Sequence, residues 1–202
     1  MSAIKRYFSL EYQIPKYGAY HANPTNVSIH MVFVPLILWT AFLFMANTGP
    51  LIASESSLGR LWPTYLPELN LATLVALASI PGYIAMHTQA GLMTVPILLG
   101  MVGSATALLH TYGPLANKTA GVLHGLSWIM QFVGHGVFEG RKPALLDNIF
   151  QAFYAAPFFV LLEVLFSLGM DPKLHKKLLN LISKEKVRVL AADRAAAQAK
   201  AK

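Results

Sequence analysis

The chain has 202 residues, 55% of them hydrophobic and only 12% charged, with 16 Lys and Arg against 9 Asp and Glu for a net charge of +7. That balance is too apolar for an ordinary soluble domain and predicts an integral membrane protein, all-α, built as a polytopic bundle of four to five apolar helices. Cys is absent, which excludes a disulfide framework, a thiolate metal site and a cysteine nucleophile, so any metal must be held by His, Asp, Glu or carbonyl oxygen.

The first 25 residues read as a polar segment that contains His21. The opening stretch lacks the apolar core and small-residue cleavage site of a secretory signal, so the first apolar segment is expected to stay in the mature protein. Residues 17–54 and 69–117 contain no Asp, Glu, Lys or Arg, and neither do 119–138 and 148–162. Helices are predicted at roughly Asn26–Ala46, Leu69–Met86, Gly91–Leu109, Ala120–Phe138 and Ile149–Met170, with "HTQAG" and "TYGPLANK" as turns. Pro35, Pro81, Pro96 and Pro157 fall inside these segments, a placement that membrane helices packed on neighbours tolerate. The whole chain reads as one domain, with a membrane bundle over 26–170 and a basic tail over 171–202.

The tail holds nine Lys or Arg against three Asp or Glu. Leu174, Leu178, Leu181, Ile182 and Val189 recur in it at helical spacing, which predicts either an amphipathic helix on an anionic leaflet or a merely soluble basic tail. Few aromatic or base-reading groups accompany the basic residues, so nucleic acid is not an expected partner; membrane lipid is. The positive-inside rule puts the tail in the cytosol, and Lys5, Arg6 and Lys16 incline the N-terminus the same way. Two ends on one side require an even number of crossings, so one of the five segments, Ala120–Phe138 first, is expected to be re-entrant or interfacial. The sequence sets no oligomeric state.

Two stretches carry chemistry. In "YHANPTNVSIHMVFVPLILW", His21 and His30 are nine apart, about 13 Å along a continuous helix and on opposite faces, so they can share an ion only if the helix starts between them. "NPTN" supplies that start, with Asn23 or Thr25 as N-cap and Pro24 in the first turn. In the second stretch His124, Ser127, Gln131, His135 and Glu139 are spaced three, four, four and four apart, a polar stripe along one helical face. His124 and His135 lie about 16 Å apart along such a helix, so they share an ion only if the glycines bend it, and His135, between Gly134 and Gly136, is the better ligand candidate. Gln131 or Glu139, one turn either side, is expected to hold the free N–H of the His135 imidazole.

The motifs H-x-N-P-x-N-x-x-x-H from His21 and Q-F-x-G-H-G-x-F-E-x-R-x-P-A-L from Gln131 resemble those of the 2-hydroxy fatty acid dioxygenases, and the similarity spans Tyr20–Met170. The resemblance implies an endoplasmic reticulum membrane enzyme of phytosphingosine breakdown to odd-chain acids. Its implied reaction is α-oxidation: with Fe(2+) as cofactor, a long-chain 2-hydroxy fatty acid and dioxygen give the acid one carbon shorter. It also implies His21, His30 and His135 as metal ligands and catalytic residues, with His124 as a further candidate. Asn23, Gln131 and Glu139 are the expected outer residues, and Arg141 or Lys142 could pair with the substrate carboxylate. Two other classes stay open from the residues alone: a membrane haem protein with bis-His ligation, and a transporter or structural protein whose polar stripe lines a pathway.

Overall fold

In a computed structural model, which describes residues 6–53, 55–140 and 151–200, the chain is helical and no strand occurs among the described residues. The helices are α1 (Leu10–Ala19), α2 (Pro24–Ala46), α3 (Ser57–Leu61), α4 (Leu71–Met86), α5 (Thr88–Tyr112), α6 (Pro114–Val133), α7 (Ala156–Ser167) and α8 (Pro172–Lys200). A π-helical turn, Gly134–Glu139, continues α6, and another, Gln151–Ala155, leads into α7. The four helices predicted before residue 140 are present with shifted ends, whereas α1 stands where a polar, non-helical segment was expected. Its seven buried residues, Leu10 and Ile14 among them, are interleaved with charged ones, which disguises a short amphipathic helix as a polar stretch.

Among the described residues two helices, α2 and α5, are long and apolar enough to cross a membrane, while α4 and the segment Phe153–Ser167 are apolar but shorter. The segment Ala120–Phe138 is not one of the two; α6 begins earlier, at Pro114, and gives way to the π-helical turn at Gly134.

The chain divides into two compact units, Met1–Met31 with Phe132–Lys202, and Val32–Gln131. In the second, α4 and α5 form an antiparallel pair whose closest residues are small: Ala72, Ala76, Ala90 and Ala105 are wholly buried. Small side chains let two backbones approach, which favours packing where lipid offers no competing hydrophobic drive. Asn70 caps α4 through its Thr73 N–H contact and donates Nδ2–H to Thr106 Oγ1 on α5 at 3.1 Å. In the same unit the part of α2 from Val32 onward is tied to α5 by the Trp39 indole N–H on Ser104 Oγ, and to α6 by reciprocal amide bonds between Asn47 and Asn117.

The first unit has an aromatic and aliphatic core in which Phe158, Phe159 and Leu162 of α7 and Leu178 of α8 are each 1% exposed. Helix α8 packs along α1. The tail stripe predicted at Leu178 and Ile182 therefore has a protein face to cover it.

Candidate metal centre

His21 sits in the non-helical link between α1 and α2, and the reason is local. Asn23 Oδ1 accepts the N–H of Thr25 at 2.8 Å and of Asn26 at 3.4 Å, so Asn23 caps α2 and Pro24 takes its first position, where a missing N–H costs nothing. With α2 beginning there, His21 folds back over the turn that carries His30. The two rings meet edge to face at 4.4 Å between centroids. His135, in the π-helical turn, completes the group, its ring 4.8 Å from each of the other two. One ring nitrogen from each imidazole lies within 4.8 Å of the others.

The hydrogen bonds set which nitrogens are available. His21 donates Nδ1–H to the Tyr17 carbonyl at 2.7 Å, and His30 donates Nδ1–H to the Asn26 carbonyl at 2.9 Å. Each is therefore held as the tautomer with a free Nε2 lone pair, the form a metal binds. Desolvation, with a smaller contribution from the adjacent His30 and His135, holds the pKa of His21 well below the ordinary histidine value, which keeps it neutral and ligand-competent. His135 is 4% exposed, and its Nδ1 is buried with no hydrogen-bond partner among the described residues. A buried nitrogen without a partner costs on the order of 1 to 3 kcal/mol unless something else occupies it. Three neutral imidazoles, one with an orphan nitrogen, fit an iron(II), zinc or copper ion equally as a donor set.

Glu139 closes the site, but not as the sequence predicts. Its carboxylate accepts the backbone N–H of Ala22 at both oxygens, that of Asn23 at 2.9 Å, and Asn26 Nδ2–H at 3.1 Å. Asn23 Nδ2–H reaches the Phe138 carbonyl at 2.9 Å alongside. These bonds clasp the His21 link and the start of α2 to the turn that bears His135. The widened i to i+5 register of that turn rotates Glu139 away from the face an α-helix would have given it, so it holds backbone rather than the His135 ring. Gln131 is buried, and its Nε2 has no hydrogen-bond partner among the described residues.

Gly134 explains how the two elements come so close. A Cβ there would lie 2.4 Å from Asn26 Oδ1, so no other residue fits without displacing the Asn26 side chain. Asn26 is wholly buried, and the sequence reading had not singled it out, although the motif contains it. The signal was its place three residues beyond the capping Asn23 and four before His30.

His124 belongs to the second unit and is not a member of the group of three. Its Nδ1–H donates to Thr40 Oγ1 at 2.7 Å, Thr40 donates onward to the Leu36 carbonyl, and its Nε2 accepts the Trp128 indole N–H at 2.9 Å. Both nitrogens are thus engaged in the second unit. Arg141 and Lys142, expected near a substrate carboxylate, lie outside the described residues.

A family model described as "2-hydroxy-palmitic acid dioxygenase Mpo1-like" matches residues 7–168. A protein of Saccharomyces cerevisiae named "2-hydroxy-palmitic acid dioxygenase MPO1" is 37% identical over 169 residues, which are 84% of this chain and 87% of that relative. No solved structure matches the chain. The motif histidines that suggested the resemblance are the ones the fold gathers into a single group, and the match in sequence runs across both stretches: this chain belongs to the Mpo1-like family of 2-hydroxy-palmitic acid dioxygenases.

Proposed function

We propose that the chain is an iron(II)-dependent dioxygenase of the endoplasmic reticulum membrane. It converts a long-chain 2-hydroxy fatty acid and dioxygen to the acid one carbon shorter, carbon dioxide and water. The observation that carries this reading is the group of His21, His30 and His135, one donor nitrogen from each within 4.8 Å of the others, in a chain similar to a relative named for that substrate.

Held by these three imidazoles, iron(II) supplies the activation of dioxygen beside a bound substrate. The electron count agrees with a single co-substrate. Oxidation of a 2-hydroxy acid to the shorter acid and carbon dioxide releases four electrons, which reduce one dioxygen completely, so no nicotinamide, flavin or 2-oxoglutarate is called for. Among the described residues the donor set contains no carboxylate, which leaves the anionic substrate head unopposed by a charged ligand. Glu139, the nearby carboxylate, spends its oxygens on the N–H groups of Ala22 and Asn23 and on Asn26. The protein's part is to fix tautomers through Tyr17 and Asn26 and to hold three separate elements in register.

The helices support a membrane setting. Besides the two apolar ones of spanning length, α6 presents Leu115, Val122, Leu126 and Ile129 outward, each at least 50% exposed. A stripe of that kind suits lipid rather than water, and it favours the multi-pass bundle predicted from sequence, with a cytosolic C-terminus. The deciding experiment is metal analysis of the purified protein together with oxygen uptake on 2-hydroxypalmitate. Stoichiometric iron and one dioxygen consumed per pentadecanoate formed are expected; uptake without the shorter acid would overturn the proposal.

A further inference from the structure

Helix α8 begins at Pro172, four residues beyond the part of the chain that the family model covers, and yet it is packed against the element next to the metal group. It lies along α1. Lys177 pairs with Glu11 at the surface, and Leu178, 1% exposed, is buried at the centre of the contact. At Gly18 the two helices come so near that a Cβ would sit 2.7 Å from Cγ1 and Cδ1 of Ile182. His175, one turn before Leu178, stacks on Phe166 of α7 at 4.7 Å, which ties α8 to the core from the other side.

Tyr17, the neighbour of Gly18, faces both ways. Its ring stacks on the His21 imidazole at 3.8 Å with 16° between the planes, and its carbonyl accepts the His21 Nδ1–H. On the α8 side Tyr17 borders a cavity of only about 20 Å³, which Glu163, His175, Leu178 and Ile182 help to line. That is room for about one water molecule, so the Tyr17 ring has no space to turn into on that side while α8 is in place.

We infer that α8 is a brace for the metal centre: by packing on Gly18 and Tyr17 it keeps the Tyr17 ring against His21, and so sets how tightly the three histidines hold a metal ion. Tyr17 is a positioning residue here, acting through His21. The inference rests on the proposed function only in taking His21, His30 and His135 as metal ligands.

Cobalt(II) titration of the full-length, metal-free protein, followed by its visible absorption, tests the brace. Gly18→Ala, which drives a methyl group into Ile182, is expected to weaken cobalt binding about tenfold, the low end of what loss of a ligand's supporting partner brings. Combining it with Ile182→Ala, which removes the obstructing atoms, restores the affinity. Leu178→Ala opens space behind Tyr17 and weakens binding on its own, so it carries the test if Gly18→Ala does not accumulate. Amide hydrogen exchange over Leu10–Ala19 is faster in each weakened variant. Unchanged affinity in both Gly18→Ala and Leu178→Ala overturns the brace and leaves the metal reading standing, as does a Gly18→Ala loss that Ile182→Ala fails to rescue. A wild-type protein that takes up no cobalt overturns the metal reading, and the brace with it.

Discussion

The orphan Nδ1 of His135 and the paired Nδ1–H groups of His21 and His30 make the three imidazoles unequal before any ion arrives. Two are locked by main-chain carbonyls, and the third is held only by packing and by the turn it sits in. Replacing any of the three with Ala should abolish stoichiometric iron and most activity while the protein still accumulates in membranes, because the packed helices do not depend on one imidazole. His124→Leu should behave oppositely, keeping iron but lowering thermal stability, since it leaves the Trp128 N–H without its acceptor and breaks the bond to Thr40, at about 1 to 3 kcal/mol. Metal content by mass spectrometry and thermal unfolding of the same four preparations separate the roles, and retention of full iron in two of the three triad variants would contradict the assignment. Glu139→Ala belongs at this scale too. It strips the acceptor from Ala22, Asn23 and Asn26 together, so a drop of about 10- to 100-fold in iron affinity is expected, partly recovered by excess iron(II). Wild-type affinity in that variant would mean the clasp is dispensable.

At the scale of elements, the approach of the π-helical turn to the start of α2 is the feature most open to a single-atom test. Gly134→Ala places its methyl 2.4 Å from Asn26 Oδ1, so the Asn26 side chain must turn away and give up its bond to Glu139. Loss of iron binding is expected with the helical circular dichroism of the chain little changed; retention of iron would show that the Asn26 side chain can move without cost. The sequence made part of this visible. The Asn23 and Pro24 cap and the return of His21 over α2 follow from short-range rules, and so does the run of apolar helices. What lay beyond those rules was the π-helical register after Val133, which has no simple residue signature. The stripe from His124 to Glu139 assumes 3.6 residues per turn throughout and so puts Glu139 one turn from His135, whereas the carboxylate accepts the backbone N–H groups of Ala22 and Asn23 and the side-chain amide of Asn26. Helix α1 escaped notice for a related reason: its partner is α8, almost the whole chain away, and an amphipathic helix of ten residues declares itself only through such a partner.

For the whole molecule, the setting of the histidines at the head of α2 bears on which acids the enzyme takes. His21 and His30 stand at the polar start of a 23-residue apolar helix, with His30 in its second turn. A long-chain 2-hydroxy acid in a bilayer keeps its hydroxyl and carboxylate at the interface and its tail among the lipid chains, so its reacting carbon and the histidines meet at one depth if α2 crosses the membrane. Two consequences can be measured in detergent-solubilised or vesicle-embedded protein. Turnover should rise steeply with chain length, because each methylene buried contributes about 0.8 kcal/mol and six of them, the difference between C10 and C16, up to about 5 kcal/mol. Palmitate should not be turned over at all, since without the 2-hydroxyl it cannot offer two oxygens from adjacent carbons to a metal that His21, His30 and His135 would hold. Oxygen uptake compared across palmitate, 2-hydroxypalmitate, 2-hydroxydecanoate and lactate reads both effects in one series. Equal rates on lactate would remove the bilayer from the account of specificity, and turnover of palmitate would remove the hydroxyl from it.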